Sequence, residues 1–427
     1  MAGEYRGGGS GSRKGGRSSS GRRRKGGRSQ RGGLPFQPDA GDAVMVNAYS
    51  EKWLRKGFCW VYSEEVIGRT GALRPGQVVS IVTRDGQDLG TGIWDEGKVE
   101  VRRMREQRGP IDSDFVAKRV ELALSRREAG AETTAWRWIH GENDDFPGVR
   151  VDVWGRHLSV LLDSRSLEGL IDPLVDALTS QREVDSIHLG WRPRQDEDEP
   201  EAYGCIWGTA PDHVVEVMEL GLRYGVDPSL GLDTGLYPDM RDVRRWLQTY
   251  WEGRRVLNTF AYTGAFSVAA AAHGASEVVT VDLSAPAIER ARANFERNQI
   301  DVEAHQFWTE DTFKALDRLR RKGELFDLVI ADPPSFSHGP GGTWQVSRDM
   351  PRLVAACLRV LRPQGWILVA SNQGSVSPRE FQKMIQLGAE KADRRVRLIH
   401  QGTPPVDFPA ALHFPESRYL KVWVLEG

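Results

Sequence analysis

Apolar and polar positions change period several times along the chain, and the changes divide it into segments. Phe58-Cys59-Trp60-Val61-Tyr62, Gln77-Val78-Val79-Ser80-Ile81-Val82 and Lys98-Val99-Glu100-Val101 are short β-type runs, with Gly76 and Asp85-Gly86 at turns. They predict strands of a small barrel within 42–108. Phe58, Trp60 and Tyr62 alternate onto one face, where core packing is expected. A helix is predicted over 112–130, and 136–220 completes a central α/β segment. Beyond 221, apolar runs at 255–260, 277–281, 324–331 and 365–370 alternate with helical stretches, as in an open α/β sheet.

Two of these strands lead into chemistry. After 255–260, Ala261-Tyr262-Thr263-Gly264-Ala265-Phe266 breaks the run with a glycine before helix formers at 267–272, which lets a ligand approach the backbone. The next strand ends in Asp282, at the spacing where such folds set an acid on ribose hydroxyls. One glycine is short of a dinucleotide fingerprint, so this pattern alone leaves NAD, flavin, S-adenosylmethionine and plain packing open. The strand over 324–331 then delivers Asp332-Pro333-Pro334-Ser335-Phe336 to the ligand-binding edge. Two prolines remove backbone donors and are expected to leave local carbonyls free, and an aromatic beside them suits a planar, nitrogen-bearing ring. A proline pair that only ended a strand would need neither the acid nor the aromatic.

With these motifs, the chain from about Met45 to Gly427 resembles the class I S-adenosylmethionine-dependent methyltransferases of large-subunit ribosomal RNA. In that family a PUA domain precedes a central α/β domain and a Rossmann-like catalytic domain. Further matches are Thr234-Gly235-Leu236-Tyr237-Pro238-Asp239-Met240-Arg241, Gly141-Glu142-Asn143-Asp144-Asp145-Phe146-Pro147-Gly148 with Asp152 behind it, and Tyr419-Leu420-Lys421. The resemblance implies a PUA-like RNA-binding domain over 42–108, a central α/β domain over 109–220 and a methyltransferase domain over 221–427. It also implies S-adenosylmethionine as cofactor and ribosomal RNA as partner. The cofactor set expected is Tyr237, Asp239, Arg241, Asn258, Phe260, Tyr262, Gly264, Asp282, Asp311 and Asp332. Within it, Asp282 would hold the ribose, Asp311 the adenine amino group and Arg241 the cofactor carboxylate. Asp332, Pro333, Pro334, Phe336 and Asn372 are expected to face the target base.

Asn372 marks a departure from part of that family. Carbon-5 methylation of cytosine needs a thiolate that adds to the ring. Family members that do this carry Ser-Cys-Ser after the fifth strand, where this chain has Ser371-Asn372-Gln373. Its three cysteines are Cys59, Cys205 and Cys357, the first two outside the catalytic segment and the third on an apolar helix face. A nitrogen has its own lone pair and needs positioning rather than covalent activation. The motifs from Asp332 through Val346-Ser347-Arg348-Asp349 to Asn372 are closer to relatives that methylate a guanine ring nitrogen. Nitrogen methylation is therefore the expected reaction, with carbon-5 methylation, a non-catalytic RNA-binding assembly factor and a small-molecule methyltransferase as alternatives.

Composition adds a compartment and a tail. Three cysteines without paired spacing suit a reducing compartment, and no apolar run is long enough to span a membrane, so a cytoplasmic location is expected. Nine histidines without ligand spacing imply no metal, and His338 and His413 read as loop residues. Oligomeric state stays open, a homodimer included. The net charge of −1 conceals residues 1–33, with 10 Lys or Arg against the single acid Glu4, leaving about −10 on the rest. This Gly/Ser/Arg matrix predicts a disordered tail over 1–41, able to hold RNA phosphates or to act as a passive solubiliser. Residues 195–201 are expected to form an exposed acidic loop, to which no chemistry is attached.

Overall fold

β-Branched and alternating residues before residue 106 pair into a six-stranded sheet. Its order is Trp60–Tyr62, Val99–Arg105, Asp88–Trp94, Val78–Val82, Ala43–Val46 and Val66–Arg69. The chain is described here by a computed structural model covering residues 42–127, 130–192, 203–339 and 342–427, without the side chains of 336–339 and 342–343. The expected tail over 1–41 and the acidic loop over 195–201 fall outside the described residues.

The predicted helix over 112–130 is Ser113–Ser125, capped where Asp112 accepts from Phe115 N. It packs with helix Ile171–Gln181 on a five-stranded sheet ordered Gly204–Gly208, Ser186–Trp191, His157–Leu162, Val149–Trp154 and Ala135–His140. The core under these helices also takes Val78, Ile93 and Met104 from the first sheet, so the two N-terminal segments share apolar packing. The boundary expected at 220/221 falls in the turn of one hairpin, Val215–Glu219 with Leu222–Val226. Val217, Tyr224 and Val226 pack with Ala135 and Trp154 of the central segment as well as with Val268 and Phe295, so the hairpin joins the two segments.

That segment is built on a seven-stranded sheet: Gln306–Thr309, Glu277–Asp282, Arg255–Thr259, Phe326–Ala331, Leu361–Ser371, Lys421–Glu426 and Arg397–Gly402. The first five run parallel, and the last two join antiparallel. Period-2 alternation divides each strand between two cores: Leu257, Val279, Val329 and Val369 face one layer, and Val256, Val278, Leu328 and Leu368 the other. The chain order reverses between Arg255–Thr259 and Phe326–Ala331, and a crevice opens at the carboxyl ends there.

The segment 403–420, between the last two strands in chain order, ties the three parts together. Its Asp407 accepts from Arg137 N at 2.9 Å and pairs with buried Arg241. Ala411 N donates to Asn143 Oδ1 at 2.9 Å, and Phe414 packs on Phe58 and Trp60 at ring distances of 5.4 and 4.8 Å. The aromatic face expected in the barrel core thus packs with the catalytic segment instead. Trp60 Nε1 in turn donates to Glu142 Oε1 at 2.9 Å, so the 141–148 motif is an interlock between domains.

Candidate functional site

The loop leaving Arg255–Thr259 is held in an unusual shape by its neighbours. Phe260 and Tyr262 adopt φ of 54° and 51°, a left-handed conformation that costs a side-chain-bearing residue energy. Asp282 holds it there: Oδ2 accepts from Tyr262 N at 2.8 Å and Oδ1 from Ser284 N at 2.9 Å. Gly264, with φ of 75°, starts helix Ala265–Ala272, and a Cβ there would lie 2.9 Å from the Ala291 methyl. Only glycine lets the two helices approach so closely. Beneath the loop, Asn258 Nδ2 donates to Ser267 Oγ at 2.9 Å, and Thr280 Oγ1 donates to the same oxygen at 2.8 Å.

These residues form one side of a cavity of about 1150 Å³. Asn258, Phe260, Tyr262 and Asp282 line it together with Asp311, whose carboxylate caps helix Thr312–Lys322 by accepting from Lys314 N at 3.1 Å. Asp332, Pro333, Pro334 and Asn372 line the other side. The backbone of Phe336 opens a short antiparallel hairpin, Phe336–Gly339 with Gly342–Gln345. Its side chain lies outside the described residues. The Pro334 carbonyl, expected to be free, accepts from Trp344 Nε1 at 2.7 Å, and Trp344 packs 5.8 Å from Phe260. Ser335 Oγ donates to Asn372 Oδ1 at 2.5 Å.

Charge inside the cavity is mainly acidic. Removal from water pushes the Asp332 carboxyl up to about 7, with the Asp239 carboxylate adding to the rise and Arg244 opposing it. Asp239 is also raised, again by burial first, although Tyr419 OH donates to it at 2.8 Å. Arg244 is committed elsewhere: Nε and Nη2 donate to buried Glu219 at 2.6 and 2.9 Å. The expectation for Arg241 is corrected. Its guanidinium points away, paired with Asp407 and donating to Ala135 O at 3.3 Å, and it is absent from the cavity wall, where Arg244 stands. Gly264 shapes the loop without lining the cavity, whereas Tyr237 lines it and leans on Tyr262 at 5.3 Å.

Sequence reasoning passed over Arg244, Trp344 and Tyr419 as site residues. In the sequence Arg244 is one of three arginines near a helix start, and Trp344 is an isolated aromatic before Val346-Ser347-Arg348-Asp349. Among the described residues no group of three or more His, Cys, Asp or Glu could hold a metal, and no helix is long and apolar enough to cross a membrane.

An organic cation answers this arrangement. A ligand bringing positive charge between Asp239 and Asp332 would relieve their mutual repulsion, and the volume suits a nucleoside with an extended tail. The sulfonium and ammonium of S-adenosylmethionine meet both requirements. Fold and site together define a class I, Rossmann-like methyltransferase with an adenosyl-cofactor cavity at its switch point.

Comparison with known proteins names the family. Residues 177–411 match the S-adenosylmethionine-dependent methyltransferase family and 44–104 match a PUA-like domain, and the chain belongs to that methyltransferase family. Its cofactor is S-adenosylmethionine. Ribosomal RNA large subunit methyltransferase I of Erwinia tasmaniensis is 33% identical over 380 residues, covering 87% of this chain and 96% of the relative. The protein of that name from Tolumonas auensis is 32% identical over 90% of this chain and 99% of its own. Among solved structures, SMU.776 with S-adenosylhomocysteine superposes with a TM-score of 0.82 at 25% identity, over 90% of this chain and all of the other.

Proposed function

We propose that the protein transfers the methyl group of S-adenosylmethionine to a nitrogen of a base in large-subunit ribosomal RNA. The names of its relatives support the RNA substrate. The observation that carries the nitrogen target is the cavity wall at Asn372, where carbon-5 chemistry would require a thiol. Neither Cys59, Cys205 nor Cys357 lines the cavity, and burial pushes the Cys357 thiol up to about 12, far from a ready thiolate. In this reading 42–108 holds RNA, 109–220 braces it and 221–427 performs the transfer.

When bound, the cofactor supplies an electrophilic methyl on a sulfonium. Asp282 would accept from the ribose hydroxyls with the lone pairs that Tyr262 N and Ser284 N leave unused, and Asp311 would accept from the adenine amino group. Phe260, Tyr262 and Gly264 shape the loop around the methionine part. The target ring is held by Pro333, Pro334, Phe336 and Asn372. With Asn372 Oδ1 accepting from Ser335, the amide NH2 is the end that donates to the base. The base nitrogen would use its lone pair to take the methyl group that the bound cofactor supplies, with the thioether as leaving group. The nitrogen's proton passes to Asp332, whose raised pKa suits an acceptor near neutrality.

Ribosomal RNA carrying 5-fluorocytosine tests this. A nitrogen methyltransferase forms no covalent RNA adduct. A denaturation-resistant adduct lost on mutating one cysteine would overturn the nitrogen target and restore the carbon-5 alternative.

A further inference from the structure

Lys421 is a buried lysine that the transfer described above does not use. It is 5% exposed, and strand pairing sets it directly opposite Ser371 at the end of Leu361–Ser371. Its Nζ donates to the Gln373 carbonyl at 2.6 Å, one residue beyond Asn372. The same carbonyl accepts from Val376 N at 3.1 Å. Within the turn, Gln373 Nε2 donates to Ser375 Oγ at 3.0 Å. Burial alone pulls the ammonium down to about 8, and no carboxylate pair compensates it among the described residues.

The charged and titratable groups of the surrounding strands are engaged elsewhere. Arg362 pairs with Asp327, Arg397 with Glu426, and His400 stacks on Trp246 at 4.0 Å. The segment 371–376 holds no charged residue. A lysine kept out of water with one strong acceptor is expensive to retain for stability alone. What it fixes is the backbone on the C-terminal side of Asn372, while Ser335 fixes the Asn372 side chain. Two residues earlier, Tyr419 bonds Asp239, and between them Leu420 lines the cavity.

We propose that Lys421 is a positioning residue for methyl transfer, holding through the Gln373 carbonyl the turn that presents Asn372 to the target base. This rests on the reading that Asn372 faces the base. A charge-assisted donor at that carbonyl holds the turn more firmly than water would. A small misplacement of a positioning group lowers the rate of transfer without weakening cofactor binding.

The test measures kcat and KM on ribosomal RNA from cells lacking the protein, with S-adenosylmethionine affinity by calorimetry, for Lys421→Met, Lys421→Gln and Lys421→Arg. Asn372→Ala is assayed beside them. Lys421→Met should lower kcat about tenfold to a hundredfold with cofactor affinity within about twofold of wild type, and Lys421→Arg should recover most of the loss. If Lys421→Met does not fold, the same comparison is made with Lys421→Gln, which keeps a donor without the charge. Unchanged kcat, or a parallel loss of cofactor affinity and kcat, would overturn the positioning role. An Asn372→Ala variant with unchanged kcat would instead overturn the base-side reading on which it rests.

Discussion

Removing the Asp282 carboxylate should weaken cofactor binding more than the loss of ribose contacts alone would. Hydrogen bonds to a charged group contribute about 1.5–3 kcal/mol each, so the ribose contacts set a loss on that order. The carboxylate also accepts from Tyr262 N and Ser284 N, at 2.8 and 2.9 Å. Without it, Phe260 and Tyr262 would relax from their positive φ angles, and binding would have to restore a conformation costing about 1–3 kcal/mol per residue. Asp282→Ala should therefore lose at least about 3 kcal/mol, roughly a hundredfold in affinity. Asp282→Asn should lose less, because one amide N–H keeps its acceptor. Calorimetric titration with S-adenosylmethionine and with S-adenosylhomocysteine checks this, since both carry the same ribose and should weaken alike. An Asp282→Ala affinity within threefold of wild type would refute the reasoning, and weakening of only the methylated form would move Asp282 away from the ribose.

Other predictions follow from the same geometry. The Asp332 pKa is raised, so its stabilising contribution is fully present below the unfolded value near 4 and is lost as pH rises through about 7. Asp332→Asn should thus raise the ligand-free melting temperature at pH 8, by on the order of 1 kcal/mol or about 2 °C, while kcat falls and loses its rise through pH 7; an unchanged pH profile would remove Asp332 from the proton transfer. Arg241→Ala strands buried Asp407 and should cost about 3–5 kcal/mol of stability in chemical denaturation, with cofactor affinity nearly unchanged once the protein is folded. Deleting residues 1–33 should lower RNA affinity and flatten its salt dependence in filter binding, since up to 10 basic groups stop displacing counterions. An identical salt slope would make the tail a solubiliser.

Much of the catalytic domain could be read from the chain because its information is local. The runs that became Arg255–Thr259 and Glu277–Asp282 carry their own period and end signals, and an acid closing a strand has one place to be in an α/β sheet. What escaped depends on distant partners. Arg241 and Arg244 sit one helical turn apart and look equivalent, but Asp407, 166 residues beyond Arg241, draws one away from the cavity, and Glu219 fixes the other at its wall. Trp344 reaches the site because its hairpin folds back until the indole meets Pro334, a contact that no spacing announces. The Leu220 turn reads as a boundary because a tight hairpin and a linker both break the apolar pattern, and only the packing of Tyr224 and Val226 with both Trp154 and Phe295 shows a hairpin joining the two segments.

In the proposed reaction Asn372, standing where carbon-5 enzymes need a thiol, serves a nitrogen methyltransferase. This is tested most directly by incubating the purified protein with isotopically methyl-labelled S-adenosylmethionine and ribosomal RNA from cells lacking it, then resolving the labelled nucleosides by mass spectrometry. The label should appear on a ring or exocyclic nitrogen, and Asn372→Ala should reduce its rate of appearance about tenfold to a thousandfold. Label recovered as 5-methylcytidine would contradict the account.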